Sequence, residues 1–151
     1  MSLEAWGDEN PIDADFDSWI DRAIDAGWFD PDDLSPGARD VLAERERQET
    51  KEGWTLAHDD QHSNGQLALA ADSYCFNAAL YQHLNDAIDN RVYRSTPVPI
   101  NWPFDGERWK PKSPREDLVR AAALIIAEIE RLDRAAARAA ADDDPSGDGL
   151  E

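Results

Sequence analysis

Cysteine is almost absent. Cys75 stands alone, so neither an intrachain disulfide nor a thiolate metal cluster can form. Long apolar runs are missing too: no stretch approaches the ~18 residues that a membrane-spanning helix needs. Met1 is not followed by a basic and then an apolar segment, so no secretory leader is expected and the cytoplasm is the expected compartment. Basic residues are scarce, with 15 Lys and Arg against 33 Asp and Glu and a net charge of −18. They are also dispersed. Counterion release on duplex DNA needs clustered Lys and Arg, so direct duplex binding is not expected. A glycine-rich phosphate loop and a G-x-S-x-G elbow are both lacking.

What is present is unevenly placed. Residues 1–40 carry 12 acidic and 2 basic groups, residues 41–140 carry 16 and 13, and residues 141–151 carry 5 and none. The acidity sits at the ends, which reads as solvated tails or as charge offered to a basic partner. At 151 residues the chain is long enough for one domain with its own core. The expected organisation is a disordered acidic start over 1–14, a single helical domain over 15–140, and a disordered acidic tail over 141–151.

Within 15–140 the apolar spacing is helical in four segments, which predicts an all-α bundle of three main helices and a short leading one. The leading helix covers 15–29, with Phe16, Trp19, Ile20, Ala23 and Ile24 on one stripe. Ser35-Pro36 opens the first main helix, a capping serine followed by proline in its favoured first position. Val41, Leu42, Arg45 and Gln48 share one stripe of that helix, so Arg45 and Gln48 are expected to face inward. A second helix is predicted over 66–89, with Leu67, Ala70, Ala71, Tyr74, Ala78, Tyr81, Leu84 and Ile88 inward. Residues 90–113 hold four prolines beside Trp102, Phe104 and Trp109. Proline at that density forbids a regular helix, and the aromatics predict an ordered flap pinned to the helices. Ser113-Pro114-Arg115-Glu116 is a capping box. The helix it opens is expected to bury Leu118, Ala121, Ala122, Ile125, Ile129 and Leu132.

The stretch Glu52–Tyr74 concentrates chemistry. His58, Asp59, Asp60 and His62 offer imidazole and carboxylate donors suited to a divalent metal, although the order departs from H-E-x-x-H and the segment is expected to be a loop. The competing reading makes Asp59 or Asp60 a helix cap. Glu128, on the rim of the last helix, needs a partner. It is either the acidic half of a structural ion pair, with Arg131 or Arg45, or a metal ligand or base. Asp60, Glu128 and His58 are the candidate catalytic groups. Arg45, Gln48, Trp54, Trp102, Trp109, Lys110 and Arg131 are the candidate ligand-binding groups. Arg45, Gln48, Asp60 and Glu128 are predicted to form one polar cluster beneath the flap.

The ordered motifs E-G-W-T-x-x-H-D-D-x-H, then W-P-F, W-K-P and A-L-I-x-A-E-I-E-R-L-D-R resemble a family of small proteins of tailed phages, prophages and bacterial genomes that has no settled activity. The resemblance covers about residues 44–134. Position by position it falls on Arg45, Gln48, Gly53, Trp54, His58, Asp59, Asp60, Leu67, Tyr74, Trp102, Pro103, Trp109, Lys110, Pro111, Leu118, Glu128 and Arg131. It implies a mobile-element origin. Together these readings predict an accessory domain binding a partner protein or small ligand. The alternatives are a metal-dependent hydrolase of a nucleotide or phosphate ester, with His58, Asp59, Asp60 and Glu128 around a divalent ion, and an acidic mimic of nucleic acid.

Overall fold

A computed structural model describes residues 31–84 and 89–143, together with Asp25. The expected disordered start, the leading helix over 15–29, Ile88 and residues 144–151 of the acidic tail lie outside the described residues.

The chain divides into two compact units, residues 1–39 and 40–151. The described part of the first holds a 3-10 turn, Pro31–Asp33, and the opening of helix α1 (Pro36–Thr50). Ser35 Oγ accepts the Ala38 N–H at 3.3 Å, and Pro36 occupies the first helical position, as the sequence predicts.

In the second unit α1 continues and is followed by α2 (Leu56–Asp60), α3 (Gln66–Leu84), α4 (Asn90–Arg94), a 3-10 turn (Gly106–Arg108) and α5 (Pro114–Asp142). The fold is all-α, a small helical bundle with no strand among the described residues. None of the described helices is long and apolar enough to cross a membrane.

Local chemistry sets the helix ends. Gly53, at φ +71°, turns the chain after α1 and lets Trp54 N–H donate to the Gln48 carbonyl at 3.0 Å. Gly65, at φ +77°, makes the turn into α3. At α5 the Ser113 hydroxyl accepts the Glu116 N–H at 3.3 Å, the serine half of a capping box, and donates to the Glu116 carboxylate at 2.7 Å.

The principal packing joins α3 to α5. Leu67, Ala70, Ala71 and Tyr74 meet Ala121, Leu124 and Ala127, and Trp109 closes the cluster from the irregular segment. This corrects the expected face of α5. Ala121 is buried as predicted, but Leu118, Ile125, Ile129 and Leu132 are 42–53% exposed. The buried stripe is instead Asp117, Ala121, Ala123, Leu124, Ala127 and Arg131. Small residues win because they let the two helix backbones approach closely, which dispersion rewards at each extra contact. On α3 Leu84 is likewise exposed, and Tyr81 is half-buried.

Asp117, which the sequence pattern did not single out, is fully buried. Tyr93 Oη donates to its Oδ2 at 2.7 Å, the Lys112 N–H reaches both oxygens at 3.3 Å, and Arg120 Nη1 lies 3.4 Å from Oδ1. Burial pushes its pKa up, while the Tyr93 bond and the Arg120 charge pull the other way. This network ties α4 to the start of α5.

Candidate ligand-binding site

Thr55 determines where the His-Asp-Asp stretch points. Its side chain accepts the His58 N–H at 3.3 Å and so starts α2, where the sequence predicts a loop. Neither Asp59 nor Asp60 caps the following helix. Adjacent residues on a helix diverge by about 100°, so the two carboxylates part company.

Asp59 turns inward and is fully buried. Its Oδ2 accepts from Arg45 Nη2 at 3.0 Å. The same nitrogen reaches Glu130 at 2.9 Å and Glu49 at 3.0 Å. Burial pulls the Arg45 pKa down, and the Glu130 hydrogen bond with the charges of Asp59, Glu130 and Glu49 more than offsets this. Asp60 turns to the far end of α5, where Arg134 and Arg138 hold it at 2.9 Å each. Those bonds lower its pKa. Glu128 pairs with Arg131 along α5 at 2.8 Å. The predicted cluster of Arg45, Gln48, Asp60 and Glu128 is therefore not assembled. Arg45 has Asp59 and Glu130 in place of Asp60 and Glu128, and Glu128 takes the ion-pair role with Arg131.

The predicted metal donors are divided in the same way. His58 Nε2 and His62 Nε2 face each other at 3.4 Å, one turn apart, and His58 Nδ1 lies 3.5 Å from Asp59 Oδ1. Asp60 points to the arginines. Among the described residues no three His, Cys, Asp or Glu side chains converge on a common ion position. His58, Asp59, Asp60 and His62 thus do not form one ligand set, and Asp60, Glu128 and His58 do not meet as a catalytic group. Burial, followed by the neighbouring His58, lowers the His62 pKa.

The histidines belong instead to a run of ring contacts. Trp54 stacks on His58 with centroids 6.0 Å apart, His58 meets His62 at 4.7 Å, and His62 meets Phe104 edge-on at 5.2 Å. Phe104 continues to Trp102 at 5.7 Å, and Trp102 to Tyr74 at 5.5 Å. Tyr74 then stacks on Trp109 at 4.9 Å. Edge-on and offset contacts at these spacings are the favoured ones. Four rings of the run, Trp54, Tyr74, Trp102 and Phe104, line one cavity of about 310 Å³.

Most of the remaining lining is charged. Arg47, Arg108, Lys110 and Arg120 line it, against Glu44 and Glu52. Arg47 is held by both carboxylates, at 2.7 Å each. Arg120 sits 5.5 Å above the Tyr74 ring and donates to the Lys110 carbonyl at 2.7 Å. Arg108 and Lys110 are exposed and make no ion pair among the described residues. Gln48 also lines the cavity and is 2% exposed. Its Nε2 donates weakly to Glu44 at 3.3 Å, and its Oε1 has no hydrogen-bond partner. A buried acceptor left in that state costs about 1–3 kcal/mol.

Of the predicted ligand-binding residues, Gln48, Trp54, Trp102 and Lys110 line the cavity. Arg45, Trp109 and Arg131 do not. Arg45 is taken by Asp59 and Glu130, Arg131 by Glu128, and Trp109 is core, its Nε1 donating to the Thr96 carbonyl at 3.0 Å. Glu44, Arg47, Glu52, Arg108 and Arg120 are the charged cavity residues that the sequence reading did not count as ligand-binding. Arg108 had a signal in its position beside Trp109 and Lys110, while Arg120 had none. Compared with known proteins, the chain matches no family model, no curated protein and no solved structure.

Proposed function

We propose that this chain is a binding domain that takes a small ligand, planar and negatively charged, in the aromatic cavity. One observation carries the reading. In a chain of net charge −18, the cavity lining has four cationic side chains against two carboxylates, set among four aromatic rings. A local field opposite to that of the whole protein concentrates an anion in the cleft, and the rings supply flat apolar area with little entropy to lose. The volume lies at the small end of ligand pockets, roughly 300–1,000 Å³. The resemblance of residues 44–134 to small phage and prophage proteins supports an accessory role in a mobile element, and a partner protein that inserts an aromatic, acidic segment would use the same cavity.

The test is an NMR titration with a panel of planar carboxylates and phosphates, following the indole N–H signals. Shifts at Trp54 and Trp102 are expected, with the Trp54 shift lost in Trp102→Ala. Shifts confined to other tryptophans, or no shift with any compound, would refute the reading. Steady turnover of a phosphate ester with magnesium or manganese would replace it with the hydrolase alternative. The nucleic-acid mimic depends on acidic ends that lie largely outside the described residues, and nothing in the helical core favours it.

A further inference from the structure

We infer that the ligand is a nucleoside monophosphate, with its base between the cavity rings against Gln48 and its phosphate on Arg108 and Lys110. The inference rests on the cavity reading above and goes further on three points.

The first is charge. Arg108 and Lys110 are the two cavity cations without an ion-pair partner among the described residues. They equal the surplus of positive over negative groups in the lining. A phosphate monoester carries about −1.5 to −2 at pH 7, whereas a carboxylate carries a single charge. Arginine and lysine are both established phosphate donors, arginine through its fork and lysine as a point charge.

The second is the floor. Gln48 lines the cavity, and its Oε1, buried behind the surface of that lining, has no hydrogen-bond partner. It calls for an N–H donor. The adjacent Nε2 donates one N–H to Glu44 at 3.3 Å and has a second N–H for another acceptor. A donor beside an acceptor on one flat edge is the pattern a nucleobase presents to a glutamine amide. A plain aromatic acid has no N–H to offer.

The third is size. At about 310 Å³ the cavity has room for one base with its sugar, and base stacking on aromatic side chains is tolerant of base identity.

The experiment is calorimetric titration of the full chain with AMP, GMP, CMP and UMP, the matching nucleosides, ribose 5-phosphate and inorganic phosphate, at low and high salt. At least one monophosphate is expected to bind about tenfold tighter than both its nucleoside and ribose 5-phosphate, with the margin over the nucleoside shrinking at high salt. Arg108→Ala alters an exposed side chain. It should shrink the margin of the monophosphate over the nucleoside, with Lys110 holding the remainder, and leave the nucleoside unchanged. Gln48→Leu, with its melting temperature checked against the parent, should weaken the monophosphate about tenfold and leave ribose 5-phosphate unaffected. Ribose 5-phosphate binding as tightly as every monophosphate, or nucleosides as tightly as their monophosphates, would overturn the assignment. So would no nucleotide binding at all. In that case, planar carboxylates that still shift Trp54 and Trp102 leave the cavity reading standing, and their failure as well takes both down.

Discussion

Replacing Arg45 by methionine tests the polar link between α1, α2 and α5. The substitution keeps most of the volume and removes the charge. Three carboxylates depend on one nitrogen, Nη2, yet they are not equally exposed to the loss. The Glu49 and Glu130 side chains are 37% and 34% exposed and rehydrate readily, so each is worth on the order of 0–1 kcal/mol. The Asp59 side chain is 1% exposed and has no other cation as near. Stranding a buried charge costs about 3–5 kcal/mol, a large share of the roughly 5–15 kcal/mol that holds a domain together. Asp59→Ala is the milder change. Arg45 keeps Glu130 and Glu49, and the loss is one charged hydrogen bond, about 1.5–3 kcal/mol. Urea denaturation followed by circular dichroism should therefore rank Arg45→Met as clearly more damaging than Asp59→Ala. The double variant should be more stable than the sum of the singles predicts, with a coupling of about 1–3 kcal/mol. Arg45→Lys should fall between wild type and Arg45→Met, because all three contacts converge on a single nitrogen. If Asp59→Ala is as costly as Arg45→Met, or the two effects simply add, the stranded-charge argument is wrong.

Tyr93→Phe removes the 2.7 Å bond to the buried Asp117 carboxylate and leaves it the longer contacts to the Lys112 N–H and Arg120. A loss of about 1.5–3 kcal/mol is expected at neutral pH. Asp117 already has a raised pKa, and this bond is one of the groups that lower it. The variant should therefore hold its Asp117 proton to higher pH, and its deficit should narrow as pH falls through that carboxyl's folded pKa; a deficit that widens on acidification contradicts this. His62 makes the opposite case, since its folded pKa is lowered by burial, His58 and Arg108, with Asp59 opposing. Above about pH 6.5 both folded and unfolded forms are neutral; below it the unfolded histidine takes a proton first, so stability falls as pH drops from about 6.5 to the folded pKa. His62→Gln should flatten the stability profile between pH 7 and 5 measured by thermal melts, and an unchanged slope would show that His62 is not its source.

The helices were legible wherever a local rule decides them. Ser35-Pro36 and the Ser113–Glu116 box place two helix starts, because a cap is a contact between residues three apart. Arg45 and Gln48 were legible as inward residues, since α1 has too few apolar side chains to explain its burial otherwise. Their partners were not. Reading 55–65 as a loop allowed Asp59 and Asp60 to be treated as one donor group, but the Thr55 cap winds them onto a helix that sends one to Arg45 and the other to Arg134 and Arg138. The α5 sequence carries two overlapping stripes, one of leucine and isoleucine and one of alanine. Hydropathy favours the first, and close approach to an alanine-rich α3 selects the second. The cavity was the least legible part because its charge comes from three separate places: Arg47 on α1, Arg108 and Lys110 around the 3-10 turn, and Arg120 on α5. Each looks ordinary in its own segment. Their meeting depends on Trp102 and Trp109 packing against Tyr74, a contact across about thirty residues that no local pattern encodes. Glu44 and Glu52 occupy Arg47, the Lys110 carbonyl and Asp117 occupy Arg120, and the packing leaves Arg108 and Lys110 as the pair open to an incoming anion.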